Sequence, residues 1–291
     1  MARIIGFIGT GVMGEPMCRN LALKSGAPVL AYDHSAAPLQ RLAAQGVKTA
    51  GSVTELAAAA DLICMVLPSG KHVEAVCDGD EGLVALARPG QTVIDLGTSP
   101  VSLARRLDIA FRDRSAVFVD APIARTRQAA EDGTLSIMVG ADPATFDAIR
   151  PLLACIGSEI THCGPVGCGQ IVKIMNNMVL IQTVVALAEA LTVARRSGLD
   201  GEVLFNTLAK GSGDSFALRN HGMKAMLPGV YPEQAFSTEY ALKDLEYAFE
   251  LARDAGLKLE GAQVARAKLK TAIAAGFGRN YWPVINRIIE S

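Results

Sequence analysis

Residues 164–198, GPVGCGQIVKIMNNMVLIQTVVALAEALTVARRSG, restrict the fold more than any other part of the chain. Beyond Gly169 neither proline nor glycine occurs until Gly198, which stands where a helix would stop. A helix of that length extends about 40 Å, enough to act as a spine between two domains. Gln170, Lys173 and Asn177 recur at helical spacing, so a polar cluster lies on one face of an otherwise apolar rod. Between 174 and 194 the only charge is Glu189, yet Asn176, Asn177, Gln182, Thr183 and Glu189 are too heavy a polar load for lipid, and no membrane span is expected. By itself the segment also fits a core helix whose lysine snorkels and whose asparagines bond locally. A site on this helix needs support from the rest of the chain.

With 291 residues, half of them hydrophobic, the chain can bury the core of one large or two ordinary domains. Its net charge of −1 comes from 28 basic and 29 acidic residues without long runs of either sign, which points away from nucleic acid and acidic membranes and toward small-molecule partners. Cys18, Cys64, Cys77, Cys155, Cys163 and Cys168 contain no Cys-X-X-Cys and match no zinc spacing, so reduced thiols and no metal are expected. The first residues lack a small-residue cleavage signature and are occupied by a motif, and a cytoplasmic location is expected.

That motif begins with the apolar run 3–8, followed by Gly9-Thr10-Gly11-Val12-Met13-Gly14 and a helical pattern through Lys24. In a strand, glycine turn and helix, Gly9 allows the tight turn, Gly11 lets the backbone approach a pyrophosphate, and Gly14 permits close helix packing. The free N–H groups at the helix start face the anion. A second strand at 28–32 leads to Asp33, nineteen residues past Gly14, where an acid accepts hydrogen bonds from an adenosine ribose. An acid there repels a 2′-phosphate and no arginine follows it directly in Asp33-His34-Ser35, so NAD is expected over NADP. Asp33 could also be a turn acid or helix cap. Strands at 62–67 and 92–96 alternate with helices at 70–77 and 100–113, and ligands in such sheets bind beyond the strand C-termini. Leu67, Pro68 and Thr98 fall there and are candidate cofactor contacts.

Further strands are expected at 116–119, 135–139 and 159–162, with a helix at 143–153. After the spine, helical patterns at 201–210, 217–226, 237–255 and 259–275 carry no convincing strand. The reading is α/β: a Rossmann domain over 1–163, then an all-α domain over 164–291 entered through one long helix. An all-helical domain this small, opening with a long apolar helix, is expected to complete its core against a second copy, as a homodimer or homotetramer.

GFIGTGVMGEPM, DAPIARTRQAAEDGTL, GPVGCGQIVKIMNN and LKDLEYAFELA, in that order along essentially the whole chain, resemble the β-hydroxyacid dehydrogenases. The resemblance implies catalysis by the lysine of Gly-X-Gly-X-X-X-Lys-X-X-X-Asn, here Gly167, Gly169, Lys173 and Asn177, with Lys243 near cofactor and substrate. A general acid/base must reach the alcohol oxygen as hydride leaves carbon, and a lysine beside an oxidised nicotinamide suits that role. Asn177 would hold the lysine or the substrate hydroxyl. The implied activity is reversible oxidation of a small anionic β-hydroxyacid to its semialdehyde. Alternatives on the same fold are an imine reductase, whose members usually lack this lysine, and a non-catalytic NAD(P)-binding regulator, which needs no proton relay.

One departure bears on the substrate. Where the family commonly has Ser-Gly-Gly, this chain has Ala124-Arg125-Thr126. A guanidinium fork can bind an oxyanion at two points and the Thr126 hydroxyl can add a donor. This pair, with the C-terminal GFGRNYW, is similar to the branch containing sulfolactaldehyde reductase, where a sulfonate is recognised. The other reading leaves Arg125 in solvent and the acceptor an ordinary carboxylate semialdehyde. Ser212, in Lys210-Gly211-Ser212-Gly213-Asp214, could line the site or simply belong to a turn.

Overall fold

The structure is a computed structural model describing residues 3–233 and 235–291. It divides into two compact units, one ending at Lys173 and the other comprising Ile174–Ser291.

The first unit is a nine-stranded sheet: β1 (Ile5–Ile8), β2 (Val29–Tyr32), β3 (Lys48–Thr49), β4 (Leu62–Met65), β5 (Thr92–Asp95), β6 (Val117–Asp120), β7 (Ile123–Ala124), β8 (Leu135–Gly140) and β9 (Gly157–Gly164). Their order is β3-β2-β1-β4-β5-β6-β8-β7, with β9 paired to β8. From β3 across to β6 all pairings are parallel, whereas β8 runs antiparallel to β6. Strands β1 and β4 are buried at every position, as a parallel sheet with both faces covered requires. Successive side chains face opposite layers. Phe7 and Ile94 belong to one core with Met17 and Leu21, while Ile8 and Val93 belong to another with Leu56, Phe111 and Phe118.

The register matters most for function. Ile8 pairs with both Tyr32 and Met65, Met65 with Asp95, and Asp95 with Asp120. The strand ends therefore form one row, from which the chain leaves at Gly9, Asp33, Val66, Leu96 and Ala121. The strand order reverses direction between β1 and β4, the place where open α/β sheets bind ligands.

The spine helix is Cys168–Arg196, 29 residues long. The division into compact units falls one turn inside it, after Lys173. The physical reason is that its first turn is hydrogen-bonded into the sheet unit, as described below. By length and composition this helix could cross a membrane, but Ile174, Ile181, Val184 and Leu191 are buried in the protein itself.

The second unit is helical: the rest of the spine, then Gly201–Leu208, a wide π-type helix Leu218–Met226, Thr238–Asp254, Glu260–Ala272 and a last short helix Ile285–Glu290. Asp200 caps one helix by accepting the Glu202 and Val203 N–H groups, and Ser237 caps another by accepting that of Tyr240. Phe205, Leu245, Leu269 and Trp282 are fully buried. The final helix is absent from the sequence reading. It closes on the spine through Arg195, which donates to Glu290 Oε1 at 2.5 Å, and Arg196, which donates to the Glu290 carbonyl at 2.6 Å.

Candidate active site and cofactor cleft

The glycine turn after β1 shows which glycines packing demands. Gly9 has φ +92°, and a Cβ on it would lie 2.2 Å from the Val66 carbonyl oxygen. A Cβ on Gly14 would lie 1.9 Å from the Gly9 carbonyl oxygen, whereas one on Gly11 would meet nothing within 4 Å. The outer two are required by the fold; the middle one leaves open space over an exposed backbone. The Thr10 N–H donates to Asp33 Oδ2 at 2.6 Å and the Ser35 N–H to Oδ1 at 2.8 Å, so the carboxylate is held at the mouth of the turn. The Thr10 hydroxyl is buried without a partner.

A cleft of about 640 Å³ opens here, lined by Thr10, Gly11, Asp33, Ser35, Glu15 and Arg41 among others. Arg41 donates from Nε and Nη2 to the two Glu15 oxygens, both at 2.7 Å, and this pairing holds the Glu15 carboxyl below the usual carboxylate range. Space over Gly11, an orphaned hydroxyl and an anchored acid beside a helix N-terminus fit the phosphates and ribose of a dinucleotide. Val12 is exposed and Met13 half-buried on the turn itself. Leu67 links this turn to the end of β5: its side chain would be 3.2 Å from a Cβ on Gly9 and its carbonyl oxygen 3.1 Å from one on Gly97. Pro68 is exposed and Thr98 half-buried on the same edge.

The spine helix starts on the neighbouring strand ends. Asp120, the last residue of β6 and wholly buried, accepts the Gly167 N–H at 2.6 Å and the Gln170 N–H at 2.7 Å. Gln170 accepts from the Ser99 N–H at 3.1 Å and donates to the Gly97 carbonyl at 2.9 Å. Ser99 in turn donates to Asp95 Oδ2 at 2.7 Å. The glycines around this carboxylate are forced: a Cβ on Gly140 would lie 2.2 Å from Asp120 Oδ1, and one on Gly169 would lie 2.3 Å from the Met138 carbonyl oxygen. Burial, opposed by these N–H donors and reinforced by the charge of Asp95, lifts the Asp120 carboxyl to about 7. Half-buried Lys173 lies one turn beyond Gln170.

In the helical unit, buried Asn177 donates from Nδ2 to Asp244 Oδ2 at 2.6 Å and accepts from Asn176 at 3.1 Å. Asp244 Oδ1 is 3.0 Å from Lys243 Nζ, which also lies 5.4 Å from the Tyr240 ring centre and 5.2 Å from that of Tyr247. Asp244 thus joins Asn177 to Lys243. Neither Asp120 nor Asp244 is among the residues singled out from sequence. The available signal was physical: an acid ending a buried strand, and an acid on the apolar side of a helix, must find partners.

Arg125 has φ +87°, in the region that favours glycine. Its Nη1 donates to the Thr134 carbonyl at 2.5 Å and to Ser158 Oγ at 3.0 Å, and the residue is exposed. Thr126 caps the helix Arg127–Asp132, its hydroxyl accepting the Ala129 N–H at 3.4 Å. Ser212 lies in an exposed turn after Gly201–Leu208. Among the described residues no cluster of potential metal ligands occurs.

A family model described as the NAD binding domain of 6-phosphogluconate dehydrogenase matches residues 4–164. A second, described as NAD-binding of NADP-dependent 3-hydroxyisobutyrate dehydrogenase, matches residues 167–281. The chain is 35% identical over 287 residues to 2-(hydroxymethyl)glutarate dehydrogenase of Eubacterium barkeri, covering 98% of this chain and 94% of that one. It is 31% identical to the NAD-dependent L-serine dehydrogenase of Pseudomonas aeruginosa, covering 98% and 97%. A solved structure of Mycobacterium tuberculosis 3-hydroxyisobutyrate dehydrogenase with L-serine superposes with a TM-score of 0.88 at 29% identity, covering 100% of both chains.

Proposed function

The chain belongs to the β-hydroxyacid dehydrogenase family, and on that premise we propose that it interconverts a small anionic β-hydroxyacid and its semialdehyde with Lys173 as general acid/base. It is an NAD-dependent oxidoreductase. The observation that carries the lysine assignment is its anchoring: Lys173 stands one turn past Gln170, whose side chain grips the end of β5. The bound cofactor supplies the hydride acceptor or donor.

The protein's own groups do the rest. Lys173 takes the hydroxyl proton during oxidation and returns it to the carbonyl oxygen during reduction. Asn177 orients that oxygen or the lysine, its amide fixed by Asp244. Lys243, held by Asp244 and two tyrosine rings, adds positive charge near the cofactor and substrate. Gly9 to Gly14, Asp33, Leu67, Pro68 and Thr98 hold the cofactor, and Asp33 favours NAD over NADP. This assigns 1–163 to cofactor binding and 164–291 to substrate binding and subunit contact. Val179, Ala186 and Val193 leave a small apolar stripe exposed on the spine, a face that a second copy would cover in a homodimer or homotetramer; the proposed location is the cytoplasm.

Arg125 and Thr126 bind the substrate's anionic group, carboxylate or sulfonate, with Ser212 a further contact. A non-glycine residue at φ +87° costs about 1–2 kcal/mol, a cost that a role in substrate binding would offset. Arg125→Gly is therefore expected to raise stability by about 1 kcal/mol while raising KM for the semialdehyde about ten-fold or more. Thermal unfolding and NADH oxidation on sulfolactaldehyde, succinic, tartronate and methylmalonate semialdehydes check both halves. Unchanged KM on every substrate removes Arg125 from substrate recognition.

A further inference from the structure

The adenosine end of the cleft contains a second acid beside Asp33 that the cofactor reading does not require. Glu15, in the first turn of the helix Gly14–Lys24, grips Arg41 in a two-point pair, both contacts at 2.7 Å. Both residues line the cleft that also contains Asp33 and Ser35. A guanidinium beside the ribose acid is the group that would bind a 2′-phosphate. In this chain its Nε and Nη2 donors already point at a carboxylate. The neighbouring guanidinium of Arg127 is likewise engaged, donating to Glu131 at 2.9 Å. The cleft therefore holds basic groups fit for a phosphate, but each of these two is neutralised by its own acid.

We propose that Glu15 is a cofactor-specificity residue: by occupying Arg41 it closes a 2′-phosphate subsite, so that selection of NAD rests on Asp33 and Glu15 together. The proposal rests on the dinucleotide reading of this cleft. One substitution at Glu15 then weakens the preference without removing the part due to Asp33; in the pair, Arg41 is 57% exposed and Glu15 25% exposed. A pair so open to solvent contributes little to stability, and removing it leaves the fold intact.

The test measures binding rather than turnover. Isothermal titration of the full chain with 5′-AMP and with 2′,5′-ADP is run on wild type, Glu15→Ala, Glu15→Gln and Glu15→Ala/Arg41→Ala. Glu15→Ala is expected to tighten 2′,5′-ADP about ten-fold, equivalent to about 1.4 kcal/mol, and to leave 5′-AMP within about two-fold. Glu15→Gln should move in the same direction, and removing Arg41 should abolish the gain. No tightening in either single variant overturns the proposal. So does a gain that survives loss of Arg41, since simple removal of negative charge would then explain it. If neither nucleotide binds any of the proteins, the dinucleotide reading falls and the proposal with it.

Discussion

Lys173→Ala is expected to bind NADH as wild type does and to lower kcat by about one hundred- to ten thousand-fold, the range a positioned acid/base contributes. Cofactor binding should survive because the cleft at Gly11, Asp33 and Arg41 is made entirely by other residues. Lys173→Arg should be nearly as inactive. A guanidinium keeps the positive charge and reach of lysine but never gives up its proton at ordinary pH, so it cannot accept the one released by the alcohol. Steady-state kinetics with fluorescence titration of NADH separates the two effects. Substantial activity in the arginine variant would reduce Lys173 to an electrostatic role.

The second large effect is expected at Asp120. Its two oxygens hold the Gly167 and Gln170 N–H groups at the start of the spine, and a buried donor left without an acceptor costs about 1–3 kcal/mol. Asp120→Ala should therefore lower the unfolding free energy by about 3 kcal/mol, and kcat should fall as well, because the first turn carrying Gln170 toward Lys173 loses its anchor. The pH dependence follows from the raised carboxyl, about 7 in the folded protein. The folded state binds this proton more tightly than the unfolded chain does. The associated stability is fully present below the unfolded value near 4 and is lost as pH rises through about 7. Asp120→Asn should flatten that part of the profile, which denaturant unfolding across pH 4–8 would show.

Local features of the fold could be read from sequence because their causes are local. In the glycine turn a Cβ on Gly14 would meet the Gly9 carbonyl five residues away, a contact the motif spacing itself carries, whereas the close approach of Gly9 to the Val66 carbonyl is visible only in the structure; the spine announces itself through the gap between Gly169 and Gly198, close to its observed span Cys168–Arg196. Two-residue β3 is too short for an alternating pattern, and Ile285–Glu290 is too short for helical periodicity and follows a proline. The helix Leu218–Met226 was readable as helical but not as π-type; its Gly222 lies close against Phe205, a contact between helices. The missing parts of the candidate site are long-range. Asp120 meets its partners 47 and 50 residues away, and Asp244 meets Asn177 across 67. No spacing rule reaches that far. The chemistry of Arg125 is plain in the sequence, but its glycine-like backbone is visible only in the structure.

The most direct test of an NAD-dependent β-hydroxyacid dehydrogenase is to follow the hydride itself. The purified protein is incubated with NAD and hydroxyacids carrying deuterium on the carbinol carbon, among them 3-hydroxyisobutyrate, L-serine and 2-(hydroxymethyl)glutarate, and the reduced cofactor is analysed for label. Transfer of deuterium to the nicotinamide from at least one of them, abolished in Lys173→Ala, is the predicted result. Absence of transfer from every hydroxyacid, with NADH oxidised instead in a parallel incubation with a cyclic imine, would contradict the assignment.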